Sequence, residues 1–179
     1  MPRAKHLHLI LFIGVAAGQP APTPDARFVQ RTAQANMAEV QMSAWAKDHA
    51  LSDEVKAFAG KLLDDHTILA DQLRSVAGHD ATAPIADLDP KDALEIDRQK
   101  TLEPNILDRA YMREVMKWHL REAEAYRREI EAGKNETLRA WASRMLAEIQ
   151  NHIRDGEDTE RAIGMEVETA KAVLPPPKS

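Results

Sequence analysis

Apolar residues recur at spacings of three and four along most of the chain, the period of helices that each bury one face. Phe28, Thr32, Ala35, Glu39, Met42 and Ala46 form one stripe, and Val29, Ala33, Met37, Val40 and Ala44 form the next. Thr23-Pro24 or Asp25 suits the start of this first helix, since proline is favoured in a first turn. Ser52 caps a second helix, with Asp53 and Glu54 where the helix dipole favours negative charge. Its apolar face is Val55, Phe58, Ala59, Leu62, Leu63, His66, Leu69, Ala70 and Leu73, and Gly78 suits its end. A third long helix over about 105–131 turns Met112, Val115, Met116, His119, Leu120 and Ala123 inward. Gly133 ends it, and Asn135 caps a fourth that buries Leu138, Trp141, Ala142, Met145, Leu146, Ile149, His152 and Ile153. Beyond Gly156 the pattern weakens, so 157–173 reads as a frayed extension.

The second half of this pattern repeats the first at a shift of 83 positions. Val55-Lys56-Ala57-Phe58-Ala59 returns as Leu138-Arg139-Ala140-Trp141-Ala142, Glu39 returns as Glu122, and Asp65 returns as Glu148. The acidic pairs Glu39/Asp65 and Glu122/Glu148 are therefore both 26 residues apart. A hairpin of helices used twice makes an antiparallel four-helix bundle. The segment between the two copies is long and punctuated by Pro84, Pro90 and Pro104, with Asp89-Pro90 able to open a short helix towards Leu102. A long crossover between two hairpins is the ferritin-like arrangement, so the expected fold is an all-α, ferritin-like four-helix bundle over 26–170.

Composition agrees. The 179 residues suffice for one well-buried domain, and the apolar set is rich in alanine with only three Phe, three Trp and two Tyr. A net charge of −5 without a cluster of Lys and Arg argues against nucleic acid. There is no cysteine, which excludes disulfides and thiolate chemistry. Arg3 and Lys5 precede a short apolar run over 7–17, and small residues then lead into Gln19-Pro20-Ala21-Pro22. That is the pattern of a cleaved export signal over 1–18, followed by a Pro-rich linker over 19–25, and it places the mature protein in the periplasm or outside the cell. The run is too short to span a bilayer, so the mature chain is expected to have no transmembrane span. Pro175-Pro176-Pro177 marks 171–179 as a tail. Neither a protein partner nor the oligomeric state, including a homo-oligomer, is fixed by these features.

Three histidines, His66, His119 and His152, fall on the apolar faces of the second, third and fourth helices. Asp65 adjoins the first, Glu122 lies three residues after the second, and Glu148 lies four before the third. Side chains three or four apart share a helix face, and Glu39 would add the first helix's contribution. The candidate metal ligands are thus Glu39, Asp65, His66, His119, Glu122, Glu148 and His152. A dinuclear carboxylate centre would need Glu-x-x-His on two helices, but the residues three before these histidines are Leu63, Met116 and Ile149. Met112, Met116 and His119 share a stripe that could suit copper(I), although methionine at helical spacing is the commoner core filler. No serine has a His and an acid at a recognisable spacing, so a hydrolase is unsupported. The missing Glu-x-x-His favours a non-enzymatic envelope or stress-related binding module whose histidine cluster is structural. The alternative is a metal-binding or metal-redox protein that holds a transition ion, iron or copper, in that cluster.

Several fragments in order also resemble a known family. They are Phe28-Val29 with Asn36-Met37-Ala38-Glu39-Val40, then Val55 to Ala59, Asp65-His66, Asp108-Arg109-Ala110-Tyr111-Met112, His119, and Leu138 to Ala142 leading to His152. Over roughly 26–155 the chain resembles the exported bacterial proteins grouped as domain of unknown function 4142, which implies a ferritin-like helical bundle and carries no established activity. Trp118 and Leu107 depart from the family pattern, which often has an acidic residue and Phe at those positions.

Overall fold

The computed structural model describes residues 21–78 and 87–167. The expected export signal, the C-terminal tail and the Pro84 region lie outside them. Five helices and no strand occur among the described residues: α1 (Pro24–His49), α2 (Asp53–Ala77), α3 (Pro90–Gln99), α4 (Pro104–Ala132) and α5 (Glu136–Ala162). Each starts where the local chemistry puts it. Thr23 Oγ1 accepts from Ala26 N at 3.0 Å, Asp89 from Lys91 N at 2.9 Å and Asn135 from Leu138 N at 3.1 Å. Ser52 caps α2, and prolines open α1, α3 and α4. Gly78 ends α2 with φ +50°, a conformation side chains resist. Gly133 ends α4 at φ −59° for a different reason: the space a Cβ would need is filled by Glu129.

The four long helices contact one another in a closed ring, α1 with α2, α2 with α5, α5 with α4 and α4 with α1, while α3 lies against α1 and α4. The core between them holds Val55, Leu62, Leu138, Ile149 and Ile153, with Ala38, Ala59, Ala123 and Ala142 where helices approach closely. Phe28 meets Tyr126 and Trp141 edge-on at one end, and those two rings lie tilted to each other, with centroids 5.4 to 6.4 Å apart. Such pairs add about 0.5–1.5 kcal/mol each beyond the area they bury. The α5 helix corrects the expectation of fraying after Gly156. It continues to Ala162 with Gly156 and Glu160 buried, because a side chain at 156 would collide with Met116 and the glycine lets α4 come close. Met116 is accordingly a packing residue here. Among the described residues no helix is long and apolar enough to cross a membrane.

The repeat is visible as a pair of reciprocal clamps. Asp108, at the start of α4, accepts from Leu51 N at 2.7 Å and Ser52 N at 2.9 Å, closing the α1–α2 turn. Asp25, at the start of α1, accepts from Lys134 N at 2.9 Å and Asn135 N at 2.8 Å, closing the α4–α5 turn. Both the acids and the amides they hold are related by the same 83-residue shift. Each half therefore pins the other's turn, a role that Asp25 and Asp108 did not advertise in the sequence. Hydrogen bonds to a charged acceptor are worth about 1.5–3 kcal/mol. Asp25→Ala and Asp108→Ala should each lower the unfolding free energy by about that amount in urea titrations, whereas a loss below about 0.5 kcal/mol would contradict the clamp.

Candidate metal centre

His66 from α2 and His119 from α4 meet in the middle of the ring with no exposure, and His152 from α5 stands beside them at 2%. Their ring centroids are 5.2 to 5.5 Å apart. Glu39 from α1, fully buried, places Oε2 2.7 Å from His66 Nε2 and 3.6 Å from His119 Nε2. Glu122 lies one turn beyond His119 on the same inner face. Among the described residues, ligand atoms of Glu39, His66, His119 and Glu122 all lie within 4.8 Å of one another, as do those of His66, His119 and His152.

Protons are the difficulty of this arrangement. His119 Nδ1 sits 2.8 Å from the Val115 carbonyl, which can only accept, so Nδ1 carries the hydrogen and Nε2 presents its lone pair. His66 Nδ1 lies 2.9 Å from Asn36 Oδ1; with the amide in this orientation Nδ1 donates and Nε2 is bare, whereas a flipped amide would leave the hydrogen on Nε2, facing Glu39. His152 Nε2 is 2.9 Å from Asp65 Oδ2, and its Nδ1 is 3.2 Å from His119 Nε2. If Nε2–H donates to Asp65, two lone pairs face each other across the 3.2 Å gap. If Nδ1–H donates to His119 instead, a bare nitrogen faces a carboxylate.

A doubly protonated His152 would resolve this, but burial, then the neighbouring His119 and His66, push its pKa down to about 3. Burial also lowers His66 and His119. It raises Glu39 to about 7 and Glu122 well above the carboxylate range, the latter also repelled by Glu39. Asp65 behaves oppositely: burial raises it, but hydrogen bonds from Lys61 and His152 outweigh that and leave it lowered. Both oxygens of Glu39 and of Glu122, and His66 Nε2, are buried without an aligned hydrogen-bond partner despite the short Glu39–His66 approach. A proton on Glu39 could reconcile one pair. Glu122, kept neutral by burial, could share its proton with the Glu39 carboxyl, and the His119–His152 contact would remain unreconciled.

Donor spacing fits a cation. Bonds of about 2.1 Å put ligand atoms about 3.0 Å apart at right angles and about 3.4 Å apart at tetrahedral ones. The observed approaches of 2.7, 3.2 and 3.6 Å bracket those values. The hydrogen bonds at the far ring nitrogens of His66 and His119 are of the kind that fix metal-ligating imidazoles.

Of the seven residues the sequence offered, Glu39, His66, His119, Glu122 and His152 come together. Asp65 is half-exposed at the rim, where it holds His152 and is itself held by Lys61 at 2.7 Å. Glu148 does not join them. It is exposed on α5 and takes a 3.4 Å bond from Asn151, because neighbouring Ile149 occupies the inward position. Asn36 was not among the candidates, although it is a buried polar residue three before Glu39 and the repeat counterpart of His119. His49 lies apart from them, exposed at the end of α1 and stacked on Trp45 with ring centroids 3.4 Å apart.

No curated protein matches the chain. Among solved structures, the crystal structure of the "putative secreted protein DUF305 from Streptomyces coelicolor" is similar, with a TM-score of 0.69 over 82% of this chain and 96% of that one. At 16% identity that likeness concerns the fold alone. The model of the family described as Domain of unknown function (DUF4142) matches residues 14–159, and the chain belongs to that family.

Proposed function

We propose that this protein is an exported, ferritin-like four-helix bundle that binds one divalent first-row transition ion in its interior. Glu39, His66 and His119 are the inner ligands, and Glu122 and His152 complete the set. One observation carries the reading: two overlapping donor groups, Glu39/His66/His119/Glu122 and His66/His119/His152, meet at the buried imidazoles of His66 and His119, whose neighbours leave the His119–His152 contact without a consistent proton. A cation supplies what they lack, and it also removes the penalty of burying carboxylates unpaired. Imidazole with carboxylate suits iron, zinc, nickel or copper(II), whereas calcium and magnesium favour oxygen alone. Both donor groups use His66 and His119, and no helix carries Glu-x-x-His, so binding or carrying one ion is favoured over the chemistry of a dinuclear oxidase. Export is supported by the basic and apolar pattern over 1–18.

Metal analysis of the purified chain, loaded with zinc, iron or copper and desalted, should find about one ion per molecule. His119→Ala or Glu39→Gln should abolish that binding, while exposed Glu148→Gln should keep it. Trace metal indifferent to His119→Ala would end the reading. Asn36→Ala, which frees the far nitrogen of His66, should weaken affinity by about 10–100-fold, as loss of such supporting partners does elsewhere. A pH effect follows from the carboxyls. With Glu39 held up to about 7 and Glu122 raised well above its ordinary value, the metal-free centre is protonated in mildly acidic solution. Ion uptake near pH 6 should then release about one to two protons, and affinity should fall as pH drops from neutral. Calorimetry in buffers of different ionisation enthalpy measures that number; no release would contradict the assignment.

A further inference from the structure

Resting on the metal-centre reading, we propose that the ion enters and leaves through the cavity between α1, α3 and α4, and that Glu122 is the ligand that first receives it. This cavity has a volume of about 530 Å³, and its walls include Thr32, Ala35, Asp92, Trp118, Arg121 and Glu122. Six waters at about 30 Å³ each make a hydrated ion of roughly 200 Å³, so the space admits one with its shell. Glu122 belongs both to this wall and to the ligand group around Glu39, His66 and His119. It is 5% exposed, and neither carboxyl oxygen has an aligned hydrogen-bond partner, although the Glu39 carboxyl lies close by. Nearer the mouth, Asp92 pairs with Arg121 at 3.8 Å, a long contact that a passing cation can displace.

The other approaches are less suited. The groove of about 420 Å³ between α1 and α2 is mainly apolar and reaches only Asn36, which supports His66 and is not a ligand. On the α2–α5 side, Asp65 is occupied by His152 and by Lys61, and Lys61 also reaches Asp155 at 3.6 Å. An ion arriving there would have to displace Lys61 from both acids before reaching His152. The α1–α3–α4 cavity also carries Arg31, Arg121 and Arg128, but sets Asp89, Asp92, Glu122 and Glu124 against them, and there an ion can exchange water directly for the ligand Glu122, with Glu39 and the imidazoles of His66 and His119 within reach.

The test separates rates from affinity. Ala35 and Ala125 are half-buried in the cavity wall, and Ala70 is their counterpart in the α1–α2 groove. Cobalt(II) uptake and its removal by EDTA would be followed by stopped flow on the full chain and on Ala35→Phe, Ala125→Leu and Ala70→Phe. Ala125→Leu is the milder wall change should Ala35→Phe fold poorly. Filling the proposed route should slow uptake and removal together by about tenfold and leave Kd within about threefold, because a blocked path changes the barrier and not the end states. Ala70→Phe should change neither rate. Unaltered rates in the two wall variants, or slowing by Ala70→Phe instead, would overturn the route while leaving the centre intact. If the unsubstituted chain takes up no cobalt, zinc, iron or copper, the centre itself falls and the route with it.

Discussion

Burying ionisable side chains away from water is the constraint around which this molecule is arranged. A carboxylate or an imidazolium in an apolar interior costs several kcal/mol unless something compensates. Here five such groups share one interior, and burial drives each towards its neutral form, the carboxyls upward and the imidazoles downward. Neutrality does not solve the problem. The Val115 carbonyl dictates that Nδ1 of His119 holds hydrogen, which turns the Nε2 lone pair towards the centre, and Asn36 in its present orientation does the same for His66. On the proposed reading a cation would resolve the conflict as a set, where protons resolve it one pair at a time.

The frame that holds these groups is nearly two-fold, and the centre is not. Asp25 and Asp108 clamp opposite turns as equivalents, Ser52 and Asn135 cap equivalent helices, and Glu39 and Glu122 face each other across the interior as the one acidic pair the repeat preserves there. The histidines break the pattern. At the same shift His119 answers to Asn36, His66 to Ile149 and His152 to Leu69. A symmetric scaffold with two central carboxyls thus carries imidazoles on three of its four long helices, and one face of the centre differs from the other. Glu122 meets the cavity beside α3, while His152 and Asp65 are tied to Lys61 on the opposite face.

Much of the helical order was legible because each signal was local. Stripes at a spacing of three and four, the Ser52 and Asn135 caps and Gly78 all acted where the sequence put them. Glu39, Glu122 and the three histidines were also legible, since polar residues on otherwise apolar faces must find partners inside. Glu148 misled because spacing along one helix says which side chains are near one another and not which of them points inward; Ile149 took that place. Gly156 misled because a glycine in a weakening pattern resembles a helix end, whereas its role is to admit Met116 from another helix. Asn36 and Lys61 act on the site only through contacts formed between helices, and no single helix carries that information.

The most direct test is crystallographic. Crystals of the metal-loaded protein, measured at and just below the absorption edge of the bound element, would locate the ion without reference to any function. The account requires one anomalous peak per chain, about 2.0–2.3 Å from Glu39 Oε2 and from the Nε2 atoms of His66 and His119. A peak confined to surface carboxylates such as Asp65 and Asp155, with the interior imidazoles hydrogen-bonded only to one another and to protonated glutamates, would contradict it.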